Sequence, residues 1–136
     1  MKSGRYLLDT HCLLWFQENN PAIPNRVMQI IQDPLNIIFF SQISLFEITI
    51  KQSIGKLPLL KASIEEIYKQ ALEDNFTFIS LENQHLYKYK KVPFLENHRD
   101  PFDRMLIATA IHQNVVLISA DKSFKQYSQK LIEVYW

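Results

Sequence analysis

Short runs rich in β-branched, aliphatic and aromatic residues recur along this chain and are separated by stretches with helical spacing, and no other sequence feature constrains the fold as strongly. The runs lie at Arg5 to Leu8, Ile37 to Phe40, Phe76 to Ser80, Val115 to Ser119 and Ile132 to Tyr135, and they read as five strands. Between them, Asn25 to Gln32 places Val27, Ile30 and Ile31 on one face, and Ile64, Ile67, Tyr68 and Ala71 repeat the pattern. Strands alternating with helices call for crossover connections, and crossovers give parallel neighbours covered on both faces. The expected class is therefore α/β, a three-layer α/β/α sandwich around a five-stranded parallel sheet. No repeat, composition shift or Gly/Ser linker divides residues 1–136, which read as a single domain. The segment Gly55 to Lys61 (GKLPLLK) reads as an exposed elbow between two helices.

Composition narrows the function classes. A hydrophobic fraction of 47% is enough to bury a core without staples. Charged residues make up 21% and sum to +1, so no strong field advertises nucleic acid or an acidic membrane. Cys12 has no second cysteine to pair with in the chain, and a reducing cytoplasm is the expected compartment. The apolar stretch Tyr6-Leu7-Leu8 is stopped by Asp9, far short of a signal-peptide core, and no run approaches the roughly 20 apolar residues of a membrane span. With only Gly4 and Gly55, neither a Walker loop nor a G-x-G-x-x-G turn can be written.

In open α/β sheets, sites form beyond the carboxyl ends of the strands. Four acids are expected there. Asp9 ends the first strand, Glu47 lies early in the helix after the second, Asp103 opens the helix before the fourth, and Asp121 follows the fourth. Each also has a structural reading. Asp9 can cap the helix starting near Thr10; Ser44-x-x-Glu47 spells a capping box with Lys51 at i+4; Asp121 can cap a helix from Lys122. Against the capping-box reading, Glu47 precedes Ile50 and Ile54 by three and seven residues, which puts it on the stripe facing the sheet. Asp100 with Pro101 forms a helix start, whereas Asp103 heads the row Leu106, Ile107 and Ala110 that points toward the core. Together the four would repel unless a cation sat among them. Oxygen ligands without Cys or a His pair favour Mg²⁺ or Mn²⁺, and such a site can activate water and stabilise the leaving oxygen of a phosphodiester.

The strand-end Asp9-Thr10, Ser41-x-x-Ser44-x-x-Glu47, IKQSIGKLPL (50 to 59), HRDPFDRMLIATA (98 to 110) and LISADKSF (117 to 124) together resemble PIN domains of the VapC type, in order and spacing, across nearly the whole chain. The resemblance implies strand order 3-2-1-4-5 and a Mg²⁺- or Mn²⁺-dependent endoribonuclease. It also implies a homodimer acting as the toxin of a toxin–antitoxin pair restrained by a cognate antitoxin. It implies that Asp9, Glu47 and Asp103 are the principal metal-binding acids and Asp121 the more variable fourth, with Thr10, Ser44 and Asp100 in support.

Lys51, His98, Arg99, Arg104 and Lys122 flank the acids and are candidates for the RNA backbone, each equally readable as an ordinary surface charge or solvated loop. His11 and His112 fall in helical stretches and read as surface or partly buried residues. Trp15, Phe16, Phe39, Phe40 and Phe46 read as core before base-stacking platforms. Two other functions fit the α/β class. A receiver-like phosphoacceptor domain would need a phosphorylatable Asp ending a middle strand, but the Ile37 to Phe40 and Phe76 to Ser80 runs end in no acid. A catalytically silent PIN scaffold binding RNA or a protein partner differs from the nuclease only in metal dependence.

Overall fold

The five runs become five parallel strands of one sheet: β1 (Arg5–Leu8), β2 (Ile37–Ser41), β3 (Thr77–Ile79), β4 (Val116–Ile118) and β5 (Val134–Tyr135), in the order β3-β2-β1-β4-β5. The computed structural model describes residues 4–94, 100–127 and 131–136. Strand β1 is central, with Tyr6 paired to Ile38 and Val116 and Leu7 to Phe39 and Leu117. Among the described residues, six α-helices surround the sheet: α1 (Thr10–Gln17), α2 (Asn25–Gln32), α3 (Gln42–Ser53), α4 (Ile64–Glu73), α5 (Asn83–Tyr89) and α6 (Pro101–Gln113), with a 3-10 helix at Lys122–Tyr127.

Because successive strand residues point to opposite faces, the sheet sorts its own apolar residues into two cores. Tyr6, Leu8, Ile38, Phe40, Val116 and Ile118 pack with Leu13, Val27, Ile31, Ile67 and Ala71 of α1, α2 and α4. Leu7, Phe39 and Leu117 face the other way, onto Leu106, Ile107 and Ala110 of α6 and onto Phe124 and Tyr127. The three-layer sandwich follows from this division.

Several strands are shorter than their runs, for a local reason. Asn75 (φ +66°) and Asn114 (φ +55°) adopt the left-handed conformation just past α4 and α6. The next N–H groups, of Phe76 and Val115, return to the helical carbonyls of Ala71 and Ala110 at 3.0 and 3.2 Å. Asparagine does here what glycine usually does at helix ends, so Phe76 and Val115 are still turning and the strands begin one residue later.

Helix α3 corrects two expectations. Its N-cap is Ser41, whose Oγ accepts from Ile43 N–H at 3.0 Å, so Ser44 lies inside the helix and forms no capping box with Glu47. The stripe that buries Glu47 runs through Ile43, Ser44 and Ile48, while Ile54, at the C-cap, is 60% exposed. The elbow after α3 turns at Gly55 (φ +74°) as expected. Among the described residues no helix is long and apolar enough to cross a membrane.

Candidate metal and catalytic site

Asp9 stands where β1 ends and α1 begins. Its N–H continues the ladder to Ile118 O at 3.1 Å, and its Oδ1 caps α1 by accepting from Cys12 N–H at 2.7 Å. The other oxygen, Oδ2, accepts the Ser119 hydroxyl at 2.5 Å. The capping role is real, but it uses one oxygen of a carboxylate that is only 5% exposed. Burial pushes its pKa up from the ordinary 3.8 to about 6. The hydrogen bonds from Ser119 and Cys12 and the charge of His11 hold it down, and the neighbouring negative charge of Asp121 adds to the rise.

Glu47 is held by the residue next to Asp9. Thr10 Oγ1 donates to Glu47 Oε1 at 2.7 Å and shares a 2.9 Å hydrogen bond with Ser44 Oγ, all three side chains being buried. Lys51 Nζ pairs with Glu47 Oε2 at 2.8 Å. Thr10 and Ser44 thus fix the carboxylate on the inner face of α3, and Lys51 offsets its charge from the solvent side.

Ser119 makes the corresponding link to Asp121. Its Oγ accepts from Asp121 N–H at 3.0 Å while donating to Asp9. Asp121 Oδ1 in turn accepts from Ser123 N–H and Oγ–H at 2.9 and 2.7 Å, capping the 3-10 helix. Asp9, Ala120 and Asp121 share a concavity of about 300 Å³ with His11 and Trp15.

At the head of α6, Asp100 is the N-cap, with Oδ1 accepting from Phe102 and Asp103 N–H at 2.8 and 3.1 Å. Asp103 is half-buried above Leu106, Ile107 and Ala110. Arg104 departs from both of its expected readings, being neither at the surface nor open to phosphate. It is 1% exposed, its Nη1 and Nη2 donate to Pro93 O and Val92 O at 2.5 and 2.6 Å, and its guanidinium lies over Phe94 and Tyr89. Lys122 is exposed at the start of the 3-10 helix. His98 and Arg99 lie outside the described residues. Among the aromatics, Phe39 and Phe40 are core, but Phe46 is 55% exposed and sits edge-on to Phe102.

All four acids offer hard oxygen donors, and no three of them bring carboxylate oxygens within 4.8 Å of one another. Oxygen donors of this kind suit Mg²⁺ or Mn²⁺ by their chemistry. Among the described residues, one set of three ligating side chains is that close: Glu82, His85 and His112. His112 lies nine residues beyond Asp103 in α6, about 13 Å along the axis, so this is a separate place. His85 Nδ1 accepts from Glu82 N–H at 3.1 Å, which leaves the proton of the neutral ring on Nε2. Burial also lowers the pKa of His85. The cluster caps α5 and packs it on α6.

A model of the PIN domain family matches residues 6–130. The chain belongs to the PIN domain family. Its fold is also that of solved structures of low sequence identity. VapBC2 from Rickettsia felis, bound to a promoter DNA fragment, is 16% identical with a TM-score of 0.66, covering 96% of this chain and 97% of that one. VapBC-1 from nontypeable Haemophilus influenzae is 21% identical with a TM-score of 0.61, at 96% of both chains. FitAcB from Neisseria gonorrhoeae is 18% identical with a TM-score of 0.60, again at 96% of both. No curated protein matches the chain by sequence.

Reading this PIN domain from its sequence missed Ser119. The residue sits within LISAD, directly before the Ala120-Asp121 pair. The parallel register that aligns Leu8 with Ile118 also aligns Asp9 with Ser119, so strand order was the signal that could have found it.

Proposed function

We propose that this PIN domain is a Mg²⁺- or Mn²⁺-dependent endoribonuclease, the toxin of a toxin–antitoxin pair, with the metal held by Asp9, Glu47, Asp103 and Asp121. The observation that carries the reading is the buried carboxylate of Asp9, which accepts from Ser119, whose hydroxyl also accepts from the Asp121 N–H, while the adjacent residue Thr10 donates to the buried Glu47 carboxylate. A carboxylate held at the end of a central strand with its pKa near 6 gains most from a cation placed beside it. When bound, the metal supplies the positive charge that activates water and offsets charge developing on the phosphodiester.

The chain's own residues do the positioning. Thr10 and Ser44 hold Glu47 in one rotamer, Ser119 fixes the orientation of Asp9, and the Asp100 cap sets the first turn of α6 on which Asp103 stands. Lys51 and Lys122 lie near Glu47 and Asp121 and are the described cations placed to meet an RNA backbone. The likeness to VapBC structures supports an antitoxin partner, and the family resemblance and the single cysteine add a homodimer and a cytoplasmic location to the same proposal.

Cleavage of a structured RNA pool by the purified chain tests the reading, run with Mg²⁺ or Mn²⁺, with EDTA, and with Asp9→Asn. Cutting that needs metal and is lost in the variant is the expected result. Cutting that survives EDTA removes the metal mechanism, and metal binding without cutting turns the weight to a silent scaffold.

A further inference from the structure

The concavity beside Asp9 is lined by two unlike sets of residues. Asp9 and Asp121 are acids, and His11 and Trp15 offer flat rings. The aromatic set continues beyond the concavity: the His11 and Trp15 rings are 6.1 Å apart, and Trp15 meets Trp136 at 5.9 Å. Trp15 is half-buried, packed at its base against the core below α1, and His11 is exposed. Trp136 is held in place by Arg26 Nε donating to its carbonyl at 3.1 Å. Part of the half-buried Trp15 side chain lines an open recess together with the two acids.

We propose that the rings of His11 and Trp15 form a stacking subsite for one unpaired nucleobase next to the scissile phosphate, with Trp15 as the platform and His11 at its rim. The proposal rests on the nuclease reading for the identity of its ligand. An indole and an imidazole offer flat π-faces, and every base has a matching face, whereas a paired base shows only its edges. A recess of about 300 Å³ is at the lower end for small-ligand sites, which suits one base rather than a folded segment. The base cannot pack on the carboxylates, where it would desolvate Asp9 and Asp121 without neutralising them. The phosphate faces the metal-binding acids, and the base turns to the rings. Cleavage is thereby directed to single-stranded or looped RNA, even though the chain's net charge of +1 supplies little general attraction.

The molecule provides its own reporter, because Trp15 and Trp136 are the chain's two tryptophans and both belong to this aromatic set. Binding of a short single-stranded RNA in EDTA should quench intrinsic fluorescence, and the same ribose-phosphate chain without bases should not. In cleavage assays, moving one abasic position along the substrate should raise KM roughly 5- to 150-fold at one place beside the cut and leave kcat nearly unchanged. Trp15→Leu should abolish that position dependence, and Trp15→Phe should restore part of it. Equal quenching by base-free and base-bearing chains, or an abasic scan with no sensitive position, overturns the subsite while leaving the nuclease intact. Base-dependent quenching without cleavage under any metal supports the subsite and removes the nuclease reading instead. A loss in kcat and melting temperature without a change in KM in Trp15→Leu would make Trp15 a packing residue and overturn the proposal.

Discussion

Asp9 is where structure and chemistry pull in opposite directions. It caps α1 and accepts from Ser119, yet burial raises its pKa from 3.8 to about 6. A carboxyl whose pKa is raised on folding stabilises the folded state fully below the unfolded value, and that contribution is lost as pH climbs through about 6. At about 1.4 kcal/mol per pH unit, ionised Asp9 costs the metal-free fold about 3 kcal/mol at neutral pH. Asp9→Asn keeps a capping oxygen without the charge. In EDTA at pH 7.5 it should melt several degrees above the parent, and the gain should vanish near pH 4; thermal melts across that range check both. Ser119→Ala removes a hydrogen bond that lowers the Asp9 pKa. The upper edge of the stability loss, where the folded-state carboxyl finishes ionising, should then move to higher pH, read from the same melts, and cleavage should need a higher pH to reach its plateau. An unchanged pH profile in Ser119→Ala would mean that the Asp9–Ser119 bond does not govern the ionisation.

Elements were legible where the code is local and periodic, and illegible where a helix was read from one pair of residues. Asn25–Gln32 and Arg5–Leu8 came out at the expected residues because an apolar stripe and a β-branched run each have one energetic solution. The start of α3 did not, since Ser41 and Ser44 are both competent caps, and the choice between them depends on where β2 stops hydrogen bonding to β3. Arg104 was misread for a related reason: a cation beside Asp103 reads as facing solvent, whereas the carbonyls of Val92 and Pro93 and the rings of Tyr89 and Phe94, more distant in the chain, enclose it. Two main-chain carbonyls and two ring faces take the place of a carboxylate partner, and a guanidinium fork can serve both carbonyls at once. Lysine's ammonium has three donors but neither the planar fork nor the flat face that lies over Phe94 and Tyr89. Arg104→Lys should therefore lower stability by about 2–3 kcal/mol through the lost fork geometry and ring contacts. Denaturant titration would reveal this, and a loss under about 0.5 kcal/mol would show that the segment repacks.

At the scale of the whole molecule, the sheet order decides which distant residues share chemistry. Placing β1 between β2 and β4 brings Asp9 beside Ser119, and α1 packed against α3 brings Thr10 to Glu47, so residues 110 and 37 positions apart touch. The acids could be listed from sequence because each follows or opens an element, but their spacing could not, since it depends on twist and helix docking. That spacing gives a prediction about where a divalent ion acts. An ion that binds only the folded state stabilises it by about 2.7 kcal/mol at 100 times its dissociation constant. Melting temperature should rise with the logarithm of Mg²⁺ or Mn²⁺ concentration and fall back on chelation. Asp9→Asn should flatten that rise, whereas His112→Ala, in the Glu82, His85 and His112 cluster, should leave it intact. The reverse pattern would move the metal to the α5–α6 cluster. Because the neutral His85 ring keeps its proton on Nε2 while Nδ1 accepts from Glu82, binding through Nε2 would have to move that proton to Nδ1 and break the α5 cap, with no net release of a proton, so His85 would give it little pH dependence near neutrality. Occupancy at the acids would instead follow the ionisation of Asp9 near pH 6, and the pH dependence of the metal-induced shift separates the two sites even if both variants prove unstable.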